Sequence, residues 1–277
     1  MHEHSGGVSL MELIGFGLLL AIAVYVIAAY RSAGHGRWPS HRILAWIAGC
    51  LVAALSLQIA NSRHDDFVAH AVAPVGLGLL APLLLVLAAP VTLALRSLDV
   101  VPARRVSRLR TSWVARFLGH PIPAALLALT GSWLLYAGGI YESLHDNGLL
   151  FAAVYFFVFV SGYLFTAAII GIDPNPHRSG YVLRAVVLCV AVAAHGILAS
   201  AVVTRAPAGV PAADAAAGSL VLSCGTGAVA LALAAVLGAA WIREVPRRRS
   251  AAQSALLVPS RASSDGRSTS SSSRSRS

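Results

Sequence analysis

Long apolar runs separated by short polar stretches set the pattern of this chain. Seven runs approach the length of about 20 residues that a helix needs to cross a bilayer. They lie near Leu10–Tyr30, Ile43–Ala60, Phe67–Leu95, Ile122–Tyr141, Leu149–Gly171, Val182–Thr204 and Ala216–Ile242. The second is short; the third and seventh are long enough to tilt or kink. The third run is the most unusual. It opens on a polar mouth at His64, Asp65 and Asp66, places His70 one turn into the apolar stretch, and carries Pro74, Pro82 and Pro90. Pro74 follows His70 by four residues, so it removes the hydrogen bond to the His70 carbonyl, which in lipid must find a partner on a neighbouring helix or water. Gly76, Gly78, Gly225 and Gly227 read as points of close helix packing.

Composition turns this pattern into a fold class. Of 277 residues, 57% are hydrophobic and only 12% charged, against about a quarter charged in soluble domains. The chain therefore reads as an all-α integral membrane protein, a bundle of about seven transmembrane helices. All 21 basic residues are arginines. They lie between apolar runs or in the tail, not along one amphipathic face, so the net charge of +10 reads as topology signal and contact for anionic lipid, with no nucleic-acid partner. Only Arg63 and Arg205 fall on the side opposite the other nineteen. The positive-inside rule then predicts an N-terminus outside and a cytoplasmic C-terminus. Residues 1–9 read as a short extracytoplasmic N-terminus without the basic region of a signal peptide. Residues 10–242 form the membrane domain, and 243–277, rich in serine and arginine, read as a disordered cytoplasmic tail.

Candidate chemistry is sparse. Cys50, Cys189 and Cys224 all sit in apolar runs without a CxxC pair and read as buried packing residues. No Ser-His-Asp set, paired carboxylates or phosphate-binding glycine loop can be assembled, so catalysis is not expected. On the predicted topology, acids and imidazoles gather outside while arginines gather inside. His70 and His195 lie within apolar runs, where an ionisable group marks either a hydrogen-bonded packing residue or a functional site. Neutral imidazole is a good copper ligand. The pair supplies two donors, enough for two-coordinate copper(I); a third would come from the MHEH segment or Asp66. Asp173 before Pro174 in IIGIDPNPHRSGYVLR reads as a structural corner.

These segments resemble a known family. FVAHAVAPVGLGLLAPLLLVLAAPVTLALRSL is similar to the signature helix of the CtaG-type cytochrome c oxidase assembly factors, and SGYLFTAAIIGIDPNPHRSGYVLRAVVLCVAVAAHGILA to their fifth and sixth helices, with His120–Pro121 also matching. The likeness covers roughly residues 40–240. It implies a multi-pass bacterial plasma-membrane protein that supports assembly of, or copper supply to, a haem–copper oxidase, with oxidase subunits as partners. His70, His195 and Asp214 match the family pattern. Pro74 stands where a second histidine is usual, and Phe151, Tyr155 and Phe157 occupy the helix that commonly carries others. A metal-free membrane scaffold with a degenerate copper site is the alternative that these departures imply.

Overall fold

The computed structural model describes residues 10–62, 66–98, 108, 112–137, 147–173, 178–206 and 210–257, with the backbone alone at 33, 35 and 245–257. His64, Asp65, His177, the MHEH segment and residues 258–277 lie outside these ranges. The described chain is helical throughout: α1 (Leu10–Arg31), α2 (Ser40–Ser62), α3 (Phe67–Val75), a π-helical turn (Gly76–Leu80), α4 (Ala81–Leu87), α5 (Pro90–Ser97), α6 (Trp113–Leu118), α7 (Pro121–Ala137), α8 (Gly148–Ile170), α9 (Tyr181–Thr204) and α10 (Ala212–Leu257).

Six helices are long and apolar enough to cross a membrane. The fourth expected span, Ile122–Tyr141, is represented by α7, whose 17 residues reach only about 25 Å at 1.5 Å per residue. Its expected continuation falls outside the described residues. The last span differs more. The helix does not stop at Ile242, where the seventh apolar run ends, but runs to Leu257. The segment SAAQSALL is made largely of good helix formers, a local preference outweighed in the sequence reading by the Ser/Arg content further on. Residues up to Leu237 form one compact unit and those from Gly238 a second. Within the second, the Arg243 side chain folds back to donate from Nε to the Ala239 carbonyl at 3.0 Å.

In the first unit the α3–α4 span forms the centre. Two-thirds of it is buried within the bundle (67%), compared with 11% of α1, so it is the helix around which the others pack. Its two prolines, Pro74 and Pro82, and Pro90 at the start of α5 each remove a backbone donor, and the carbonyls near them are handled differently. The His70 carbonyl, freed by Pro74, accepts from the Tyr136 hydroxyl of α7 at 3.0 Å. The Gly78 carbonyl, in the π-helical turn just before Pro82, faces Gly162 of α8 so closely that any Cβ there would collide with it. The Val86 carbonyl, freed by Pro90, takes the Ala89 N–H at 3.0 Å in a tighter local turn.

The break between α4 and α5 is sharper than a kink. Ala89 adopts a left-handed conformation (φ 53°, ψ 57°), strained for a residue with a Cβ, and the surroundings hold it there. Tyr25 of α1 donates to the Ala88 carbonyl at 2.7 Å, and Trp38 Nε1 donates to the Tyr25 oxygen at 3.1 Å. On the other side Asp173 Oδ1 accepts from the Thr92 backbone N–H at 2.8 Å and its hydroxyl at 2.6 Å. Asp173 thus caps the start of α5 from 81 residues away. The corner bearing Asp173 is itself locked. Gly171 ends α8 in the left-handed region, and Arg184, 1% exposed, donates from Nη1 to the carbonyls of Ile169 and Ile170 at 3.0 and 3.4 Å. Its guanidinium lies 4.2 Å from the Tyr181 ring centroid, which offsets part of the burial of charge.

Glycine packing holds at three of the four expected positions. A Cβ at Gly76 would meet Ser56, at Gly78 Val158, and at Gly225 Val75, whereas Gly227 faces open space. Cys50 is buried as expected, but Cys189 and Cys224 are exposed on the bundle surface, a place lipid makes apolar. Gly162→Ala is expected to lower the thermal unfolding temperature in detergent, at a cost of about 1–3 kcal/mol from the forced separation of α8 and the π-turn. Gly227→Ala serves as the neutral control. Equal melting of the two variants would show that the Gly78–Gly162 approach does not hold the helices together.

Candidate functional site

The polar groups of the central helix begin at its cap. Asp66, with extended backbone (φ −99°, ψ 104°), accepts from the Val68 and Ala69 N–H groups at 2.9 and 3.1 Å, a helix N-cap with a carboxylate well placed for the helix dipole. One turn later His70 is 2% exposed. Its Nδ1 lies 3.0 Å from the hydroxyl of Tyr155 on α8, a residue with no exposed surface. With the bond from Tyr136 to its carbonyl, His70 is held by tyrosines of two different helices. Aromatic contacts pack this pair in place: Phe67 meets Tyr136 edge-on at 6.1 Å and Phe151 meets Tyr155 at 4.5 Å.

His195 sits in the middle of α9. Its Nδ1 is 2.9 Å from the Ala191 carbonyl. A carbonyl only accepts, so Nδ1 carries the proton and, in the neutral ring, the Nε2 lone pair is left for other partners. That nitrogen lies 3.4 Å from Ser132 Oγ on α7, whose hydroxyl is also 3.3 Å from the Ala128 carbonyl. Ser132 and Tyr136 are four residues apart on α7, stacked on one face about 6 Å along the axis. The two histidines are therefore tied to successive turns of the same helix. Beside His195 is a cavity of about 20 Å³, lined by Pro74, Ser132, Tyr136, Ser161, His195 and Thr226 among others. It has room for roughly one water-sized occupant. Nearby on α8, Thr166 Oγ1 is buried without a hydrogen-bond partner among the described residues.

The sequence-derived candidates are thus only partly brought together. His70 and His195 share α7 as a common support. Asp66 is committed to capping α3. Asp214 is exposed in the first turn of α10, where its charge suits the helix N-terminus. Among the described residues no three His, Cys, Asp or Glu side chains converge as a metal-binding group. Sequence reading undervalued Tyr136, Tyr155 and Ser132. The available signal was that a tyrosine hydroxyl inside an apolar span must find a partner, and His70 is the polar group the third span offers.

The model of the cytochrome c oxidase caa3 assembly factor family, Caa3_CtaG, matches residues 23–244. The chain belongs to this family. The match takes in the central helix, both histidines and the Asp173 corner. Among similar curated proteins, uncharacterized proteins of Mycobacterium bovis and Mycobacterium tuberculosis are each 36% identical over 200 residues, covering 68% of this chain and 30% of their own length. One from Mycobacterium leprae is 32% identical over 209 residues, covering 71% of this chain and 31% of its own. The chain thus spans a little under a third of the length of these relatives. No solved structure matches it.

The network makes a stability prediction. Tyr136→Phe leaves the His70 carbonyl buried and unsatisfied and is expected to cost about 1–3 kcal/mol, while Tyr155→Phe removes one neutral hydrogen bond, worth about 1 kcal/mol. Because both act on His70, the double variant is expected to depart from additivity by more than about 0.5 kcal/mol. Thermal melts of the four proteins in one detergent measure this. Strict additivity would mean that the two tyrosines support His70 independently.

Proposed function

We propose that this chain is a non-enzymatic, multi-pass accessory factor in the assembly of a haem–copper cytochrome c oxidase in a bacterial plasma membrane. The observation that carries the reading is the family match, which extends from the second half of α1 to residue 244 in α10. Oxidase subunits are its partners, and anionic lipid meets its arginine-rich loops and tail. Seven spans with the N-terminus outside and the C-terminus cytoplasmic fit the distribution of arginines along the sequence. On that topology His70 and His195 belong to the outer half of the bundle, the side from which copper would arrive.

Copper is the cargo this reading implies, and the donor chemistry limits how it would be held. His195 offers Nε2 towards Ser132, and His70 engages Tyr155 through Nδ1. A two-coordinate copper(I) stop on these imidazoles would draw on the other nitrogen, Nε2, of each ring. A metal-free scaffold is the second reading. It is favoured by the same geometry: Asp66 is spent as a cap and both imidazoles are structural partners.

One experiment separates them. Purified protein is titrated with copper(I) against a competing chelator, beside the His70→Ala/His195→Ala double variant, and both are tested for co-purification with oxidase subunits. A copper carrier loses metal affinity in the variant, and a strain lacking the chain regains oxidase activity with added copper. A scaffold keeps its subunit contacts in the variant, and added copper does not restore the strain. If neither metal nor subunits are retained by the wild-type protein, the assembly reading fails.

A further inference from the structure

We propose that the furrow between α1 and α5 is a binding site for one phospholipid with an anionic headgroup. The furrow has a volume of about 480 Å³. Its walls are Val24 and Ala28 of α1 and Leu93 and Ala94 of α5, and Arg31 and Ser97 stand at one end. The back is aromatic. Tyr25 and Trp46 stack at 4.6 Å with their planes 9° apart. Both spend their polar atoms inside the bundle, Tyr25 on the Ala88 carbonyl and Trp46 on the Ala21 carbonyl. Flat apolar surface is what remains for an occupant, and polar chemistry is confined to the end.

Dimensions narrow the class of occupant. The furrow follows α1 from Ala21 to Arg31, ten residue steps or about 15 Å at 1.5 Å per step, which is half of the roughly 30 Å hydrocarbon core and so the depth of one leaflet. An apolar furrow of that depth suits extended alkyl chains.

Charge selects the headgroup. Arg31 is exposed at the end of α1. Close by, Arg42 and Arg96 flank the Trp38 ring at 4.9 and 5.4 Å, and Trp38 is bonded to Tyr25 at the back of the furrow. The carboxylate described at this end, Asp173, is occupied by Thr92. A phosphate at the level of Arg31 would meet its guanidinium fork, with the positive charge of Arg42 and Arg96 around Trp38. The same furrow is lined by Pro90 and Leu93 next to the strained Ala89, so a seated lipid would also buttress the α4–α5 break. This deepens the anionic-lipid part of the proposed function and is independent of the oxidase role.

The test uses the full chain, purified and delipidated in a neutral detergent, and titrated with phosphatidylglycerol or phosphatidylcholine of the same chain length. Bound lipid per protein is read by native mass spectrometry. One tightly held phosphatidylglycerol per chain is expected, with phosphatidylcholine held less well. Arg31→Gln is expected to weaken phosphatidylglycerol about fivefold and to erase the preference between the two lipids. Ala28→Leu with Ala94→Leu, which fills the furrow, is expected to exclude both. The Arg31→Gln arm alters an exposed side chain and stands even if the packing variant misfolds. Equal binding of both lipids by the wild type would overturn the proposal. So would wild-type binding by the variants, glycerol phosphate binding as tightly as the intact lipid, or a polypeptide cross-linked in the furrow. Unchanged adsorption to anionic vesicles beside wild-type lipid retention in all variants would sink the furrow site while leaving general surface attraction intact.

Discussion

Everything in the bundle depends on one constraint: in a bilayer, a backbone carbonyl released by proline has no water to turn to. Pro74, Pro82 and Pro90 each remove a donor, and the architecture around them can be derived from how the nearby carbonyls are handled. Tyr136 is brought to His70 because the carbonyl there needs a donor. Gly162 is needed opposite Gly78 because the next carbonyl is accommodated by close backbone approach. The third is absorbed by tightening the chain at Ala89, and that tightening breaks the helix. The break then calls for Tyr25 on one flank and Asp173 on the other. Helices α1, α7 and α8 and the corner after α8 are thus recruited by the prolines of a single span.

Much of this was legible in outline. Apolar run lengths located the long helices, since a span must bury about 20 residues, and the i to i−4 rule identified the His70 carbonyl as needing an external partner before any partner was known. Identity of the partner was not legible, because Tyr136 lies 66 residues away and helix packing is not encoded in local periodicity. Asp173 illustrates the same limit. Its place before Pro174 correctly marks a helix end, yet its cap on α5 is a tertiary contact that no local pattern announces. The break at Ala89 was hidden for another reason: left-handed backbone is usually signalled by glycine or asparagine, and here alanine is forced into it by its neighbours. The helix beyond Ile242 was missed because serine and arginine content further along the tail dominated a segment with good local propensity.

The candidate site gains its ambiguity from the same physics. A buried imidazole inside an apolar span needs hydrogen bonds regardless of any function, and the structure supplies them from Tyr155, Ser132 and the Ala191 carbonyl. Structural support and metal ligation share the two nitrogens of one ring. For His195 the tautomer fixed by Ala191 leaves Nε2 as the ligating atom, directed at a neutral hydroxyl that is a weak competitor at 3.4 Å. For His70 the bond to Tyr155 is shorter and fully buried, so its Nδ1 is the harder of these two atoms to release.

That asymmetry follows from how the central helix is supported. Pro74 frees the His70 carbonyl, and this makes Tyr136 necessary. Tyr155 of α8 serves His70 as a hydrogen-bond partner. These residues are mutually consistent as packing: Pro74 and His70 create polar demands that Tyr136 and Tyr155 meet. The Pro74–Tyr136 and His70–Tyr155 pairs fit together as one core, whereas His195, half-buried and joined to Ser132 by a longer contact, is tied less tightly to the bundle than His70.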